Sequence, residues 1–140
     1  GLKGDLLRLE ITEGAIMENP HEVAVRLQQL RVMGVQVYVD DFGTGYSSLS
    51  HLQRLPIDAL KVDQSFVMSI ADSKDNMAIV RAIIDLAHNL NLATVAEGVE
   101  TKRDLKQLKK LKCDFAQGFF FSTPLDSRKA TAYLRDNLAQ

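Results

Sequence analysis

The chain predicts an α/β fold in which parallel strands alternate with helices. Two observations carry this: five short apolar runs recur along the sequence, and segments with helical spacing or helix-capping residues separate them. A third concerns the polar residues. Glu10, Asp40, Asp41, Lys61, Asp63, Glu97, Glu100 and Gln117 all fall at, or just beyond, the C-terminal ends of the five predicted strands. An open doubly wound sheet gathers its ligand contacts at a switch point, whereas a barrel brings every strand end to one mouth. The even spread predicts a partial TIM-like (β/α) barrel of about five parallel strands, since a full barrel needs roughly eight strands and 250 residues.

Leu6–Ile11 reads as the first strand. Asn19 then caps a helix with Pro20 at its first position and Glu22 at its third. Val23, Leu27 and Leu30 repeat at helical spacing until Gly34 ends the helix. Val35–Val39 alternates as the second strand, and Ala59–Asp63, approached through Leu52–Pro56, is the third. Residues 74–91 form the longest predicted helix, with Ile79, Ile83, Leu86 and Leu90 on one face. Ala93–Ala96 is the fourth strand; Thr101 caps a helix that turns Leu105, Leu108 and Leu111 inward. Phe115–Gln117 is the fifth strand, and a last helix covers about 127–138 after Pro124.

The 140 residues suit one domain, 46% hydrophobic and therefore able to build a core. A net charge of −1 provides no field to recruit a nucleic-acid polymer or an anionic membrane, and the Lys106–Lys112 cluster reads as a solvated helix face. Cys113 is the sole cysteine, so no internal disulfide forms, and a reducing, cytoplasmic compartment is expected. No apolar run approaches the ~18 residues of a membrane span. His21, His51 and His88 lack ligand spacing, so zinc is not expected.

The chemistry concentrates in Asp40-Asp41-Phe42-Gly43-Thr44-Gly45-Tyr46-Ser47-Ser48-Leu49. Carboxylates at a strand end suit a hard cation such as Mg²⁺ or Mn²⁺, and the glycine- and hydroxyl-rich loop beyond can turn backbone N–H groups toward an anion. A single Asp after a strand as often makes an Asx-turn or caps a helix. Asp-Phe-Gly also occurs in protein kinases, but neither their glycine-rich nucleotide loop nor their His-Arg-Asp run accompanies it here. Taken alone, Glu10 reads as a surface or salt-bridge residue, Lys61 equally as a lysine snorkelling to solvent or an inward one paired with acids, and Gln117 as a polar cap.

The ten-residue run resembles the signature loop of the EAL domain family, bacterial phosphodiesterases that hydrolyse cyclic di-GMP. Four further segments resemble the family in its order: Leu9-Glu10-Ile11-Thr12-Glu13, Leu60-Lys61-Val62-Asp63, Ala96-Glu97-Gly98-Val99-Glu100-Thr101, and Gln117-Gly118-Phe119-Phe120-Phe121-Ser122 with Pro124. The family's Glu-Ala-Leu tripeptide and an asparagine of its metal site precede the region matched. The resemblance therefore implies that residues 1–140 are the C-terminal portion of one EAL domain, without its first three strands.

By the resemblance, Glu10, Asp40, Asp41 and Glu97 hold Mg²⁺ or Mn²⁺, in a two-metal site in the complete domain. Glu97 is either the general base or a metal ligand, and Lys61 positions water and stabilises phosphate charge. Glu13 braces the Asp-Asp loop. Asp63, Glu100, Gln117, Phe42, Gly43, Tyr46 and Ser47 contact substrate or support the residues that do. The loop also links metal occupancy to a homodimer interface in complete members. The implied function is hydrolysis of cyclic di-GMP to linear pGpG in bacterial second-messenger signalling. The alternatives are a non-catalytic domain that binds cyclic di-GMP or a protein partner, or a fragment inactive by itself. The isolated chain is expected to be inactive and prone to association.

Overall fold

The structure is a computed structural model that describes residues 3–45 and 49–137. It contains β1 (Arg8–Thr12), α1 (Glu13–Glu18), α2 (Pro20–Val32), β2 (Gln36–Phe42), α3 (Leu49–Leu52), β3 (Ala59–Val62) and α4 (Gln64–Val67). After these come α5 (Lys74–Asn89), β4 (Ala93–Ala96), α6 (Lys102–Lys110), β5 (Phe115–Ala116) and α7 (Ser127–Asn137). The five strands form one sheet in the order β1-β2-β3-β4-β5, every neighbouring pair parallel. The α/β class and the five parallel strands are as the sequence predicts.

Alternation along the strands sorts side chains onto two faces. Val37, Val39, Leu60, Val62 and Ala96 point outward and are buried with Leu27 of α2, Val67 of α4, Val80 and Ile84 of α5, and Leu108 of α6. The opposite face curls around a cavity of about 230 Å³ lined by Arg8, Glu10, Tyr38, Lys61, Val95, Phe115, Ala116 and Gln117. These residues come from β1 through β5 and the position just after it. Residues at both edges of the sheet thus share one interior, which is the curvature of a partial barrel rather than an open sheet.

Caps position the helices. Asn19 accepts the Glu22 N–H, with Pro20 at the start of α2; Ser73 accepts from Asn76 and Thr101 from Asp104. Several boundaries differ from the sequence reading. The first strand starts at Arg8, because Gly4–Leu6 is a single 3₁₀ turn that leaves Leu6 and Leu7 exposed. The second runs on through Asp40, Asp41 and Phe42, so the acids sit inside its last turns of ladder. Asp63 is outside β3 and caps α4, accepting from Ser65. The buried face of α5 is Val80, Ile83, Ile84 and Ala87, while Ile79 is 39% exposed. That face is a 3-4-7 set starting one residue later than Ile79. Leu86 and Leu90 only flank it, because the strands beneath contact the helix along its centre line.

Candidate metal and phosphodiester site

Lys61 sits at the middle of the site. Its side chain projects from β3 into the curled interior among acids of other strands, and it is 3% exposed. Its Nζ lies 2.7 Å from Glu10 Oε2, 2.8 Å from Asp40 Oδ1 and 2.7 Å from Glu97 Oε1. The three acids come from β1, β2 and the position just after β4, so three strands each bring a carboxylate to the ammonium carried by β3. Burial opposes the charge on Lys61, but the three carboxylates outweigh it and hold the group protonated well above the usual lysine range. Glu97 is pushed up by burial, which exceeds the opposing pull of Lys61. Gln117 Nε2 donates to the same Glu97 Oε1 at 2.6 Å.

Asp40, Asp41 and Glu97 each offer a carboxylate oxygen within 4.8 Å of one another. Asp41 is brought there by backbone geometry: it has φ of 53°, and the β2–β3 register shifts between Val39 and Phe42. A bulge at a strand end re-aims a side chain, here turning two consecutive acids toward one region. Partial burial, then Asp40 and Asp63, push the Asp41 carboxyl up. Asp40 Oδ1 is buried and pairs with the Lys61 ammonium at 2.8 Å. An all-carboxylate donor set of this kind fits a hard divalent cation. Glu10 lies on the Lys61 side of the cluster and outside this trio.

The surrounding residues fix these groups. Glu13, 3% exposed at the start of α1, accepts the Gly43 N–H at 3.0 Å. Gly43 has φ of 101°, and a Cβ there would lie 3.1 Å from both Phe66 and Ile83, so the loop turns only where glycine permits it. Phe42 is buried in the core. Asp63 accepts from the Ser65 backbone and hydroxyl. Val99 N–H donates to Gln117 O and Phe120 N–H to Val99 O, which ties the Glu97–Glu100 segment to the end of β5. Glu100 is exposed and borders a second cavity of about 300 Å³ with Gln64, Glu97, Gly98, Gln117, Gly118 and Phe119. Tyr46 and Ser47 lie outside the described residues. Sequence reasoning gave no site role to Gln64, or to Phe119 within its motif. Phe119 directly follows the Gln117-Gly118 motif, and its 65% exposure beside acids is what marks it.

A parallel strand–helix curl with acids and one lysine at its strand ends defines a barrel-type protein with a carboxylate-rich mouth. The model of the EAL domain family matches residues 1–124, and the chain belongs to that family. It is 49% identical over 135 residues to the cyclic di-GMP phosphodiesterase NbdA of Pseudomonas aeruginosa, covering 96% of this chain and 17% of that protein. It is 45% identical over 134 residues to the oxygen sensor protein DosP of Escherichia coli, again covering 96% and 17%. The solved PaMucR phosphodiesterase in complex with c-di-GMP superposes with a TM-score of 0.89 at 44% identity, over 92% of this chain and 52% of that one. The Klebsiella pneumoniae BlrP1 manganese/c-di-GMP complex gives 0.81 at 37%, over 88% and 31%. The chain thus spans about a sixth of the curated relatives and about half of the PaMucR chain. Among the described residues no helix is long and apolar enough to cross a membrane.

Proposed function

We propose that residues 1–140 supply the C-terminal part of a cyclic di-GMP phosphodiesterase domain that opens its substrate to linear pGpG. The observation that carries this reading is the convergence of Glu10, Asp40 and Glu97 on Lys61 beside the Asp40–Asp41–Glu97 cluster. Relatives named for this activity and solved neighbours holding c-di-GMP support it. In the reaction water adds to phosphorus and the P–O3′ bond breaks, the released 3′-oxygen taking a proton from solvent.

Asp40, Asp41 and Glu97 would hold Mg²⁺ or Mn²⁺, with Glu10 adjoining. A bound divalent cation supplies Lewis-acid polarisation of phosphoryl oxygens and makes water more acidic. Lys61 holds a fixed positive charge where the phosphodiester gains negative charge. Glu97, raised by burial and oriented by Gln117, is suited to take the proton of the attacking water. Glu13 holds the loop through Gly43 N–H and so fixes where the two aspartates point. Glu100, Gln117 and Asp63 line the approach to the dinucleotide. The domain works in the cytoplasm and as a homodimer.

The test is a chimaera in which residues 1–140 replace the matching part of the PaMucR phosphodiesterase domain, assayed with Mn²⁺. Turnover of cyclic di-GMP to pGpG is expected. A folded chimaera that binds Mn²⁺ and leaves cyclic di-GMP intact would overturn the reading.

A further inference from the structure

We propose that Phe66 is a positioning residue for the Asp40–Asp41 pair, acting through Gly43. The proposal rests on the reading above of those aspartates as metal ligands and adds what holds them in place. Gly43 sits two residues beyond Asp41 with φ of 101°, and a Cβ built on it would lie 3.1 Å from Phe66 Cε2, 3.7 Å from Phe66 Cζ and 3.1 Å from Ile83 Cδ1. The backbone at Gly43 therefore rests on the far end of the Phe66 ring, with Ile83 beside it. Its N–H is held by Glu13 Oε2 at 3.0 Å. The turn thus has two restraints of different kinds, a hydrogen bond and an apolar floor.

That placement is passed back to Asp41. Thr44 N and Oγ1 both donate to Asp41 O, at 3.3 and 2.8 Å, so residues 41–44 close into one hydrogen-bonded turn. Asp41 has φ of 53° and lies in the irregular stretch of the β2–β3 register. A non-glycine residue in that conformation persists where its surroundings over-determine it. Glu13 is one of those surroundings, and the Phe66–Ile83 floor is the other.

Phe66 can act as a floor because the turn that carries it is fastened. α4 spans four residues, Gln64–Val67, too few to hold a helical turn unaided. Asp63 caps it by accepting the Ser65 N–H at 2.9 Å. Asn76 of α5 donates its side-chain N–H groups to Ser65 O and Met68 O, each at 3.4 Å, and its own backbone N–H is held by Ser73 Oγ at 3.1 Å. α5 therefore carries Ile83 directly and secures Phe66 through this clip. The two neighbours on α4 divide the work: Val67 is fully buried in the core, whereas Phe66 is only partly buried and gives its ring end to Gly43.

The experiment is amide hydrogen exchange at Gly43 in metal-free residues 1–140, compared among Phe66→Leu, Phe66→Met and Val67→Ala. Mn²⁺ affinity of the same variants is read by calorimetry in the chimaera. Phe66→Leu removes the ring end and keeps an apolar branch in place, so Gly43 exchange should quicken by about tenfold or more and Mn²⁺ affinity should fall by about 10–100-fold. Phe66→Met, whose unbranched chain fills the same gap, should recover most of both. Val67→Ala should lower the denaturant midpoint and leave Gly43 exchange and Mn²⁺ affinity as in the wild type. Unchanged exchange in Phe66→Leu, an equal quickening in Val67→Ala, no recovery in Phe66→Met, or quickened exchange with unchanged Mn²⁺ affinity overturns the proposal. A wild-type chimaera that binds Mn²⁺ and leaves cyclic di-GMP intact overturns the proposed function, while the expected loss in Phe66→Leu there still upholds the positioning role. An active chimaera in which Phe66→Leu behaves as the wild type does the reverse.

Discussion

A cluster of carboxylates and a single carboxylate with its donors sit at opposite ends of the central strands, and they are built differently. At the N-terminal end, Asp114 Oδ2 accepts from Thr94 N at 2.9 Å and Thr94 Oγ1 at 2.7 Å, and faces His88 Nε2 at 2.9 Å. Burial works against that charge, but the hydrogen bonds outweigh it and hold the carboxyl below its usual range. At the C-terminal end, Glu97 and Asp41 are instead pushed up, and the buried Asp40 Oδ1 shares the Lys61 ammonium with Glu10 and Glu97. One end is satisfied by the protein's own donors; the other gathers more negative charge than Lys61 neutralises. A barrel separates the two tasks in this way, with stability at the bottom and chemistry at the top.

The largest effect expected falls on the top cluster. In the active chimaera, Lys61→Met and Glu97→Gln should each lower turnover by about 10²–10³ or more, the cost of one preorganised charge. The two variants should part on Mn²⁺ affinity. Glu97→Gln weakens it by removing a ligand, whereas Lys61→Met keeps or strengthens it by removing a competing positive charge. Titration calorimetry reads the difference, and equal loss of Mn²⁺ in both would show that Lys61 organises the acids rather than opposing the cation.

Next in size is the core that supports both ends. Leu60 and Val80 are fully buried between sheet and helix, so Leu60→Ala should cost roughly 2–5 kcal/mol. Denaturant melts will show this as a lower midpoint; a loss below about 1 kcal/mol would mean that the β3–α5 layer is loosely packed.

How much of this was legible in the residues follows from the same contrast. The strand-end acids were readable because a strand ends where its apolar alternation ends, and Asn19 and Thr101 were readable because capping is local chemistry. The phase of α5 was not, since Ile79 and Val80 both fit a helical stripe and only the contact with β3 and β4 decides between them. Nor was the bulge at Asp40–Asp41, which needs the β3 partner to define it. Thr94 and Asp114 carry no motif at all; their pairing appears only when β4 meets the segment before β5.

Thr94→Val comes third. It removes the hydroxyl that donates to Asp114 and accepts the Asp114 N–H at 3.1 Å, within a position that is fully buried. Leaving those partners unmet should cost about 1–3 kcal/mol with turnover in the chimaera unchanged. Turnover falling in step with stability would show that the two ends are coupled.

The smallest expected effect is the pH dependence of the bottom cluster. Asp114 has a folded-state pKa held below its unfolded value, so its contribution is fully present above the unfolded pKa, near 4, and is lost as pH falls through the folded one. Its side chain is 39% exposed, and solvent screening keeps the contribution small. Asp114→Asn keeps an oxygen acceptor for Thr94 and removes the charge. The wild-type advantage over Asp114→Asn should therefore be present at neutral pH and shrink in the acid range, as read from thermal midpoints at matched ionic strength. A gap that stays constant from neutral pH down to about pH 3 would assign the whole effect to hydrogen-bond geometry. The contrast between the ends would then lie in donor count alone, with ionisation playing no part at the bottom.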